Sequence, residues 1–396
     1  MGAIDLYEPQ FWWFVLAALI LMVPQTNPSA RKWTFAGLNL TFLALHLETG
    51  QASALPMILA GLALAWAMLR WSARGGIGPL VLGGCVILTL FLIHKLPHIG
   101  HRAGMDRAES ILSAIGFSYV ALRLIDVSLA VRENRQKPPD LPSTINYLLP
   151  FHMIAAGPIQ SYDEFVEQPA VPAPPTASKA LVALERIALG LFKKFILANY
   201  IDRMFLTGFH APMPYFLLEV QLNYLWLYLD FSAYSDVAVG LGILLGVATP
   251  ENFNRPYLAR NVIEYWDRWH MSLSLFIRRT LFIPIQLTLM RKTEGRSPLL
   301  AASLAFTVSF LLCGIWHSIS WPWLAWGVCQ SAGLIVCNTY KQILIKKLGR
   351  KGVKEYLAKR WIEVLAIVAT FEFAAAVAAV ATYPYQEISW WTSRLK

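Results

Sequence analysis

The chain has 396 residues, of which 56% are aliphatic, aromatic or cysteine and only 15% are charged, and its mean hydropathy is +0.48. That composition excludes a soluble multi-domain enzyme and places the chain with integral membrane proteins. A net charge of +10 would suit a nucleic-acid binder, but in a polytopic chain surplus Lys and Arg gather on cytoplasmic loops facing anionic lipid, so no nucleic-acid partner is expected.

A chain that crosses roughly 30 Å of hydrocarbon must do so with backbone groups that satisfy one another, which means helices. Apolar runs at 11–23, 34–47, 53–69, 79–94, 111–131, 145–160, 181–206, 214–230, 231–248, 299–319, 322–342 and 362–383 predict about eleven or twelve such segments. The expected fold class is all-α and polytopic, with spans around a central tunnel and re-entrant or amphipathic helices on the cytoplasmic side. A single membrane domain over 1–396 would comprise N-terminal helices to 140, a core over 145–345, and a basic cytoplasmic segment with a last helix over 346–396.

The first run follows Asp5 and Glu8 rather than a basic stretch, and no small-residue cleavage site comes after it, so it is expected to stay as a helix. Arg31 and Lys32, Arg70 and Arg74, and Arg132, Arg135 and Lys137 make every second loop basic. Between them lie Glu48, a mixed stretch at 95–109, and the acidic Asp163, Glu164 and Glu167, an alternation that puts the N-terminus outside. The Pro-rich "QPAVPAPPTAS" (168–178) reads as a loop. "RKTEGR" (291–296) and "KQILIKKLGRKGVKEYLAKR" (341–360), the latter with eight basic residues against one acid, should be cytoplasmic, which leaves the tip "SISWPW" (318–323) pointing outward. Cys85, Cys313, Cys329 and Cys337 lie in apolar runs without a pairing motif and read as small hydrophobes; no metal site is expected.

One polar knot interrupts the apolar pattern, "EYWDRWHMSLSLFIRR" at 264–279. Pro256 breaks any preceding helix, and Asn261 is placed to cap one starting near Val262. On that helix Trp266, Trp269, His270, Leu273 and Ile277 fall at offsets 0, 3, 4, 7 and 11, one stripe, with Asp267, Arg268, Met271 and Arg278 off it. Exposing such charges to hydrocarbon costs roughly 2.5–3.5 kcal/mol each, so the segment should lie at the cytoplasmic interface or pack against protein. Interfacial anchoring by Trp and Arg is the competing structural reading. His270 stands out because it shares the aromatic stripe.

A second histidine, His317, ends an otherwise apolar run in "FLLCGIWHSISW" (310–321). Ionisable groups in spans are expensive and tend to face a cavity or a partner, and a neutral imidazole is the natural general base near neutral pH. A hydrogen-bonded core histidine is the alternative. Asp230, Tyr234 and Asp236 are read as helix–helix hydrogen-bonding residues or as lining for a substrate path. Lys193 and Lys194 are expected to reach an interface or a carboxylate such as Asp202.

The blocks "AAGPIQSYDEF" (155–165), "GLFKKFILANYID" (190–202), "YLDFSAYSDVAVGLGILLG" (228–246), "ENFNRPYLARNVIEYWDRWHMSLSLFIRR" (251–279) and "GIWHS" (314–318), in that order, resemble the membrane-bound O-acyltransferase family. More specifically, they resemble the bacterial branch that acetylates alginate and D-alanylates teichoic acids. The resemblance implies a helical membrane fold with a tunnel between the two faces. His317 would be the catalytic histidine and His270 a second histidine lining the site. Substrate contacts are expected from Trp266, Trp269, Asn254, Arg268, Ser272, Trp316, Asp230, Tyr234 and Asp236. Ser318 stands where the family often has Gly, Ala233 interrupts "DFSGYSD", and "RRTLFIPIQLTL" replaces "RDYxYIPLGG", changes that bear on the donor side near 279–290.

The implied reaction moves an acetyl or D-alanyl group from a cytoplasmic thioester to a hydroxyl of an envelope glycan or polymer. No cofactor is bound; a phosphopantetheinyl carrier protein or coenzyme A is a co-substrate. His317 would accept the hydroxyl proton, while His270 would either donate to the oxyanion or hold the hydroxyl in line; an acyl-enzyme through Ser318 or Cys313 is the alternative. Expected partners are membrane lipid, an acidic acyl carrier protein drawn to the basic cytoplasmic face, and an envelope partner protein or glycan outside; the expected location is the inner (cytoplasmic) membrane. An exporter of envelope lipid or polymer, or a scaffold recruiting an acidic partner, would also explain many helices with buried polar groups.

Overall fold

The computed structural model describes residues 8–47, 55–75, 78–96, 111–113, 115–206 and 215–383. Asp5, Glu48 and most of the mixed loop at 95–109, which entered the topology expectation, lie outside the described residues. The described secondary structure is helical throughout. Contacts divide the chain into two units, residues 1–188 with 235–250, and residues 189–234 with 251–396.

The first unit contains α1 (Pro9–Met22), α2 (Pro28–His46), α3 (Leu55–Ser72), α4 (Gly78–Lys95), α5 (Phe117–Arg132), α6 (Leu141–Leu148), α7 (Tyr162–Glu167) and most of α8 (Ala177–Phe192). The apolar run at 145–160 is not a span. Its helix stops at Leu148 before Pro150, and the chain continues as a short 3-10 turn, Phe151–Met153, and irregular backbone up to Ser161. Irregular backbone away from water needs internal partners. Arg123, 1% exposed, supplies them: its guanidinium donates to the carbonyls of Leu148 (3.2 Å), Met153 (3.0 Å) and Pro158 (3.2 Å). Asn39 does similar work, donating to Asn146 at 3.0 Å and accepting the N–H of Phe151 at 2.9 Å.

Runs 214–230 and 231–248 form one helix, α9 (Phe216–Leu245), of 30 residues. Asp230 sits mid-helix, but a carboxylate does not break a helix, and its charge is met by an ion pair with Lys194. That pair gives Lys194 a carboxylate partner of the kind expected of it. Lys193 lies 3.4 Å from the Ser232 hydroxyl and over the Tyr228 ring. Both lysines begin a π-helical stretch, Lys193–Ala198, that continues α8.

The second unit continues with α10 (Val262–Trp266), α11 (Met271–Ile277), a π-helical turn (Arg278–Phe282), α12 (Ile283–Lys292), α13 (Pro298–His317), α14 (Trp321–Leu357) and α15 (Arg360–Thr382). α13 and α14 form a hairpin, and α15 packs along α14. α14 extends well beyond the expected end at 342 and breaks at Gly349, whose φ of +69° is open to glycine without strain. Beyond the break the chain returns far enough for the Tyr356 hydroxyl to meet that of Tyr340 at 3.2 Å.

Five stretches among the described residues are long and apolar enough to cross a membrane: Leu55–Ser72, Phe216–Leu245, Met271–Lys292, Pro298–His317 and Arg360–Thr382. The chain is an all-α, multi-pass membrane protein. Of the four free cysteines, Cys313 is buried as expected, Cys329 and Cys337 are half-buried, and Cys85 is exposed on its helix.

Candidate active site

The polar knot folds around a break rather than as one helix. Asn261 caps α10 as expected, accepting the N–H of Glu264 at 2.9 Å. Helical hydrogen bonding persists to Trp269, whose N–H reaches Tyr265 O at 2.8 Å. It then stops, because His270 takes left-handed backbone angles, φ 41° and ψ 53°. The N–H of Met271 turns away to Asn252 O at 2.9 Å, and α11 restarts when Ser274 N–H reaches His270 O at 3.0 Å. The continuous helix read from periodicity is therefore corrected to two short helices, because a distant carbonyl outcompetes the local one. The expected division of faces survives: Trp266, Trp269, His270, Leu273 and Ile277 are buried, while Asp267 and Arg278 are exposed.

His270 is 3% exposed, and its ring meets Phe231 edge-on at 4.7 Å and 88°. Its Nδ1 stands 3.1 Å from Oδ1 of Asn252, an oxygen that also accepts the Ser272 hydroxyl at 2.7 Å and backbone N–H at 3.3 Å. Trp269 fills the space beside it, sandwiched by Tyr224 (5.7 Å) and Tyr265 (5.6 Å), with Phe253 edge-on at 5.1 Å.

His317 is the last residue of α13, where Ser318 N–H closes the final turn on Gly314 O at 3.0 Å. Its ring lies flat on Trp323 (4.3 Å, 16°) and is flanked by Trp316 (4.5 Å) and Trp326 (5.6 Å). Trp326 contacts Trp266 at 6.0 Å, and the Trp266 indole N–H is fixed on Gln330 Oε1 at 3.1 Å. A chain of indoles thus ties the second histidine to the knot that carries the first, and the two imidazoles are electrostatic neighbours. Glycine makes the hairpin this tight. A Cβ on Gly314 would lie 2.3 Å from Trp323 O, and one on Gly327 would lie 2.6 Å from Phe310 O. A cavity of about 300 Å³ is lined by Trp266 together with Asp267, Arg278, Phe282, Ser309 and Phe310.

The remaining candidates fall in several places. Ser272 and Trp316 touch the two histidines' immediate neighbourhood as described. Arg268 binds Glu264 at 2.7 Å, and Arg260 takes the same carboxylate at 3.0 Å. Burial opposes the charge there, but hydrogen bonds from Arg260 and Arg268 hold the Glu264 carboxyl below the usual carboxylate range. Asn254 is exposed and meets Arg268 through its own backbone, its N–H on Arg268 O at 2.9 Å and its carbonyl 3.5 Å from the Arg268 guanidinium. Asp230 is committed to Lys194. Tyr234 is half-buried on the same helix, and Asp236, which belongs to the first unit, pairs with Arg186 at 2.8 Å. Asn252, Phe231, Trp323, Trp326 and Gln330 were not among the expected residues. Nothing local in "ENFN" marks Asn252 over Asn254, since only the fold shows which amide turns inward.

The described residues thus form a multi-pass helical membrane protein in which a buried imidazole, His270, and a half-buried one, His317, are walled by indoles and phenyl rings. The chain belongs to the membrane-bound O-acyltransferase family, whose model matches residues 31–370. It is an O-acyltransferase. It is 28% identical over 294 residues to the teichoic acid D-alanyltransferase of Bacillus subtilis, covering 72% of this chain and 73% of that one. It is also similar to a probable alginate O-acetylase, AlgI, of Azotobacter vinelandii, 26% identical over 67% of this chain and 53% of that one. The peptidoglycan O-acetyltransferase of Helicobacter pylori is 32% identical over 39% of this chain and 28% of its own length.

Proposed function

We propose that this protein transfers a short acyl group, acetyl or D-alanyl, from a cytoplasmic thioester to a hydroxyl of an extracytoplasmic cell-envelope glycan or polymer, working in the cytoplasmic membrane. The observation that carries the reading is that His270 and His317 both stand on one linked cluster of aromatic side chains, in a chain whose relatives are named for D-alanyl and acetyl transfer to envelope polymers. In the reaction the acceptor oxygen attacks the thioester carbonyl and its proton passes to His317. The carbon–sulfur bond breaks, and the leaving thiolate takes that proton back. Charge on oxygen develops only in the transition state, so a base placed there lowers the barrier without binding the ground state more tightly. The indoles around His317 keep out water that would hydrolyse the thioester. No nucleophile on the protein is needed.

The donor would be a phosphopantetheinyl carrier protein or coenzyme A. A carrier is favoured by the charge on α14, where Lys346, Lys347, Arg350 and Lys351 are all exposed around the break at Gly349. Acyl carriers are acidic, and a basic face steers them.

The experiment is acyl transfer in detergent from a radiolabelled thioester to envelope glycan. His317→Ala should abolish it while insertion and melting stay near wild type, and His270→Ala should cause a large loss; full turnover by His317→Ala would remove that histidine as the base. An exporter would consume no labelled donor. Mass spectrometry of envelope glycans from a deletion strain identifies the acceptor. Neutralising the four basic residues together should slow transfer from a carrier and spare a soluble thioester, and equal effects on both would dismiss carrier docking there.

A further inference from the structure

Asn252 is wholly buried, at 0% exposure, in the irregular stretch between α9 and α10. Three groups converge on its Oδ1: the backbone N–H of Ser272, the Ser272 hydroxyl, and Nδ1 of His270 at 3.1 Å. A backbone N–H can only donate, so the amide atom it faces is the oxygen and not the nitrogen. An amide oxygen can only accept. Nδ1 of His270 must therefore carry its hydrogen, and in the neutral ring the lone pair falls on Nε2.

That nitrogen is buried and makes no hydrogen bond among the described residues. Three features keep the ring uncharged: its depth, the Phe231 ring against it, and the imidazole of His317 as a neighbour. The carbonyl of Asn252 meanwhile takes the Met271 N–H at 2.9 Å, so one residue pins both the left-handed backbone of His270 and its ring.

We propose that Asn252 is a positioning residue that holds His270 as the neutral Nδ1–H tautomer, so that Nε2 receives a hydrogen bond from an O–H or N–H of the bound substrates. This rests on the acyl-transfer reading above, and it chooses between the two roles open to His270. A nitrogen without hydrogen cannot donate to a developing oxyanion. His270 orients a substrate donor while His317 takes the reacting proton.

Histidine nitrogen shifts report tautomers directly. The full-length protein, labelled with ¹⁵N-histidine and held in nanodiscs, is compared with a His270→Gln sample to assign the His270 signals. Wild type should show a protonated Nδ1 and an unprotonated Nε2 at neutral pH; the reverse pattern, or an imidazolium, overturns the proposal. Asn252→Ala should shift the ring toward Nε2–H or a mixture, and lower kcat by about tenfold or more with less change in KM. Asn252→Asp, which keeps an acceptor oxygen, should restore the Nδ1–H pattern. Ser272→Ala should leave the tautomer untouched, because the backbone N–H still orients the amide. An unchanged tautomer in Asn252→Ala sinks the positioning role, and if that variant fails to fold, the wild-type spectrum and Asn252→Asp still decide. The spectra need no substrate, so a failed acyl-transfer assay with an Nδ1–H ring would refute the functional reading and leave the tautomer assignment standing.

Discussion

Gly314→Ala tests whether the site depends on how closely α13 and α14 approach. The new Cβ would stand 2.3 Å from the carbonyl oxygen of Trp323 and 3.2 Å from its carbon, both rigid backbone atoms. An unstrained carbon–oxygen contact is roughly 3.3 Å or longer, so the hairpin must part by about 1 Å at this level. Overpacking of that kind costs about 1–3 kcal/mol. The catalytic consequence should be larger than the stability loss suggests. Trp323 is the residue on which the His317 imidazole lies, and His317 is one turn from Gly314, so the same displacement shifts the proposed base against its wall. A 1 Å misplacement of a reacting group can cost about 100-fold. Turnover of a labelled thioester by the purified variant should fall about 10- to 100-fold, with a melting point only a few degrees lower. Gly61→Ala is the control, since its Cβ would meet nothing within 4 Å. If Gly314→Ala turned over as fast as Gly61→Ala, close helix approach would not be what sets the site.

Removing the indole under His317 with Trp323→Ala should cost activity beyond the roughly 0.5–1.5 kcal/mol typical of an aromatic pair, and Trp323→Phe should recover part of it in the same assay. Lys194→Ala leaves the Asp230 carboxylate of α9 without its partner. With both side chains a quarter to a third exposed (25% and 32%), the melting curve should report a loss of about 2 kcal/mol, which Lys194→Met combined with Asp230→Leu largely restores. Glu264→Gln frees Arg260 and Arg268 and should destabilise by on the order of 1 kcal/mol at pH 7. Because the folded-state carboxyl lies below its ordinary value, this stabilisation is complete above the unfolded value of about 4.3 and is lost as pH falls through the folded one. The melting points of variant and wild type should therefore converge in acid, and a constant gap at all pH values would contradict the Glu264 clamp.

The membrane class and most of the helices follow from sequence alone because hydropathy is a sum over neighbouring residues, and the bilayer leaves such runs one way to satisfy their backbone. The cap at Asn261 and the buried stripe from Trp266 to Ile277 are legible for the same reason, since their partners lie within a turn or two. Both histidines stand out as ionisable groups among apolar ones. What the tertiary structure decided involves partners far along the chain. Arg123 and Pro150 turn the run at 145–160 into an irregular stretch, Lys194 lets Asp230 sit within one long helix, and the carbonyl of Asn252 takes the N–H of Met271 from far along the chain to interrupt the helix at His270. Local periodicity cannot anticipate a hydrogen bond won by a distant carbonyl or an indole delivered by the next helix, because its strength depends on which surfaces meet once the chain has packed.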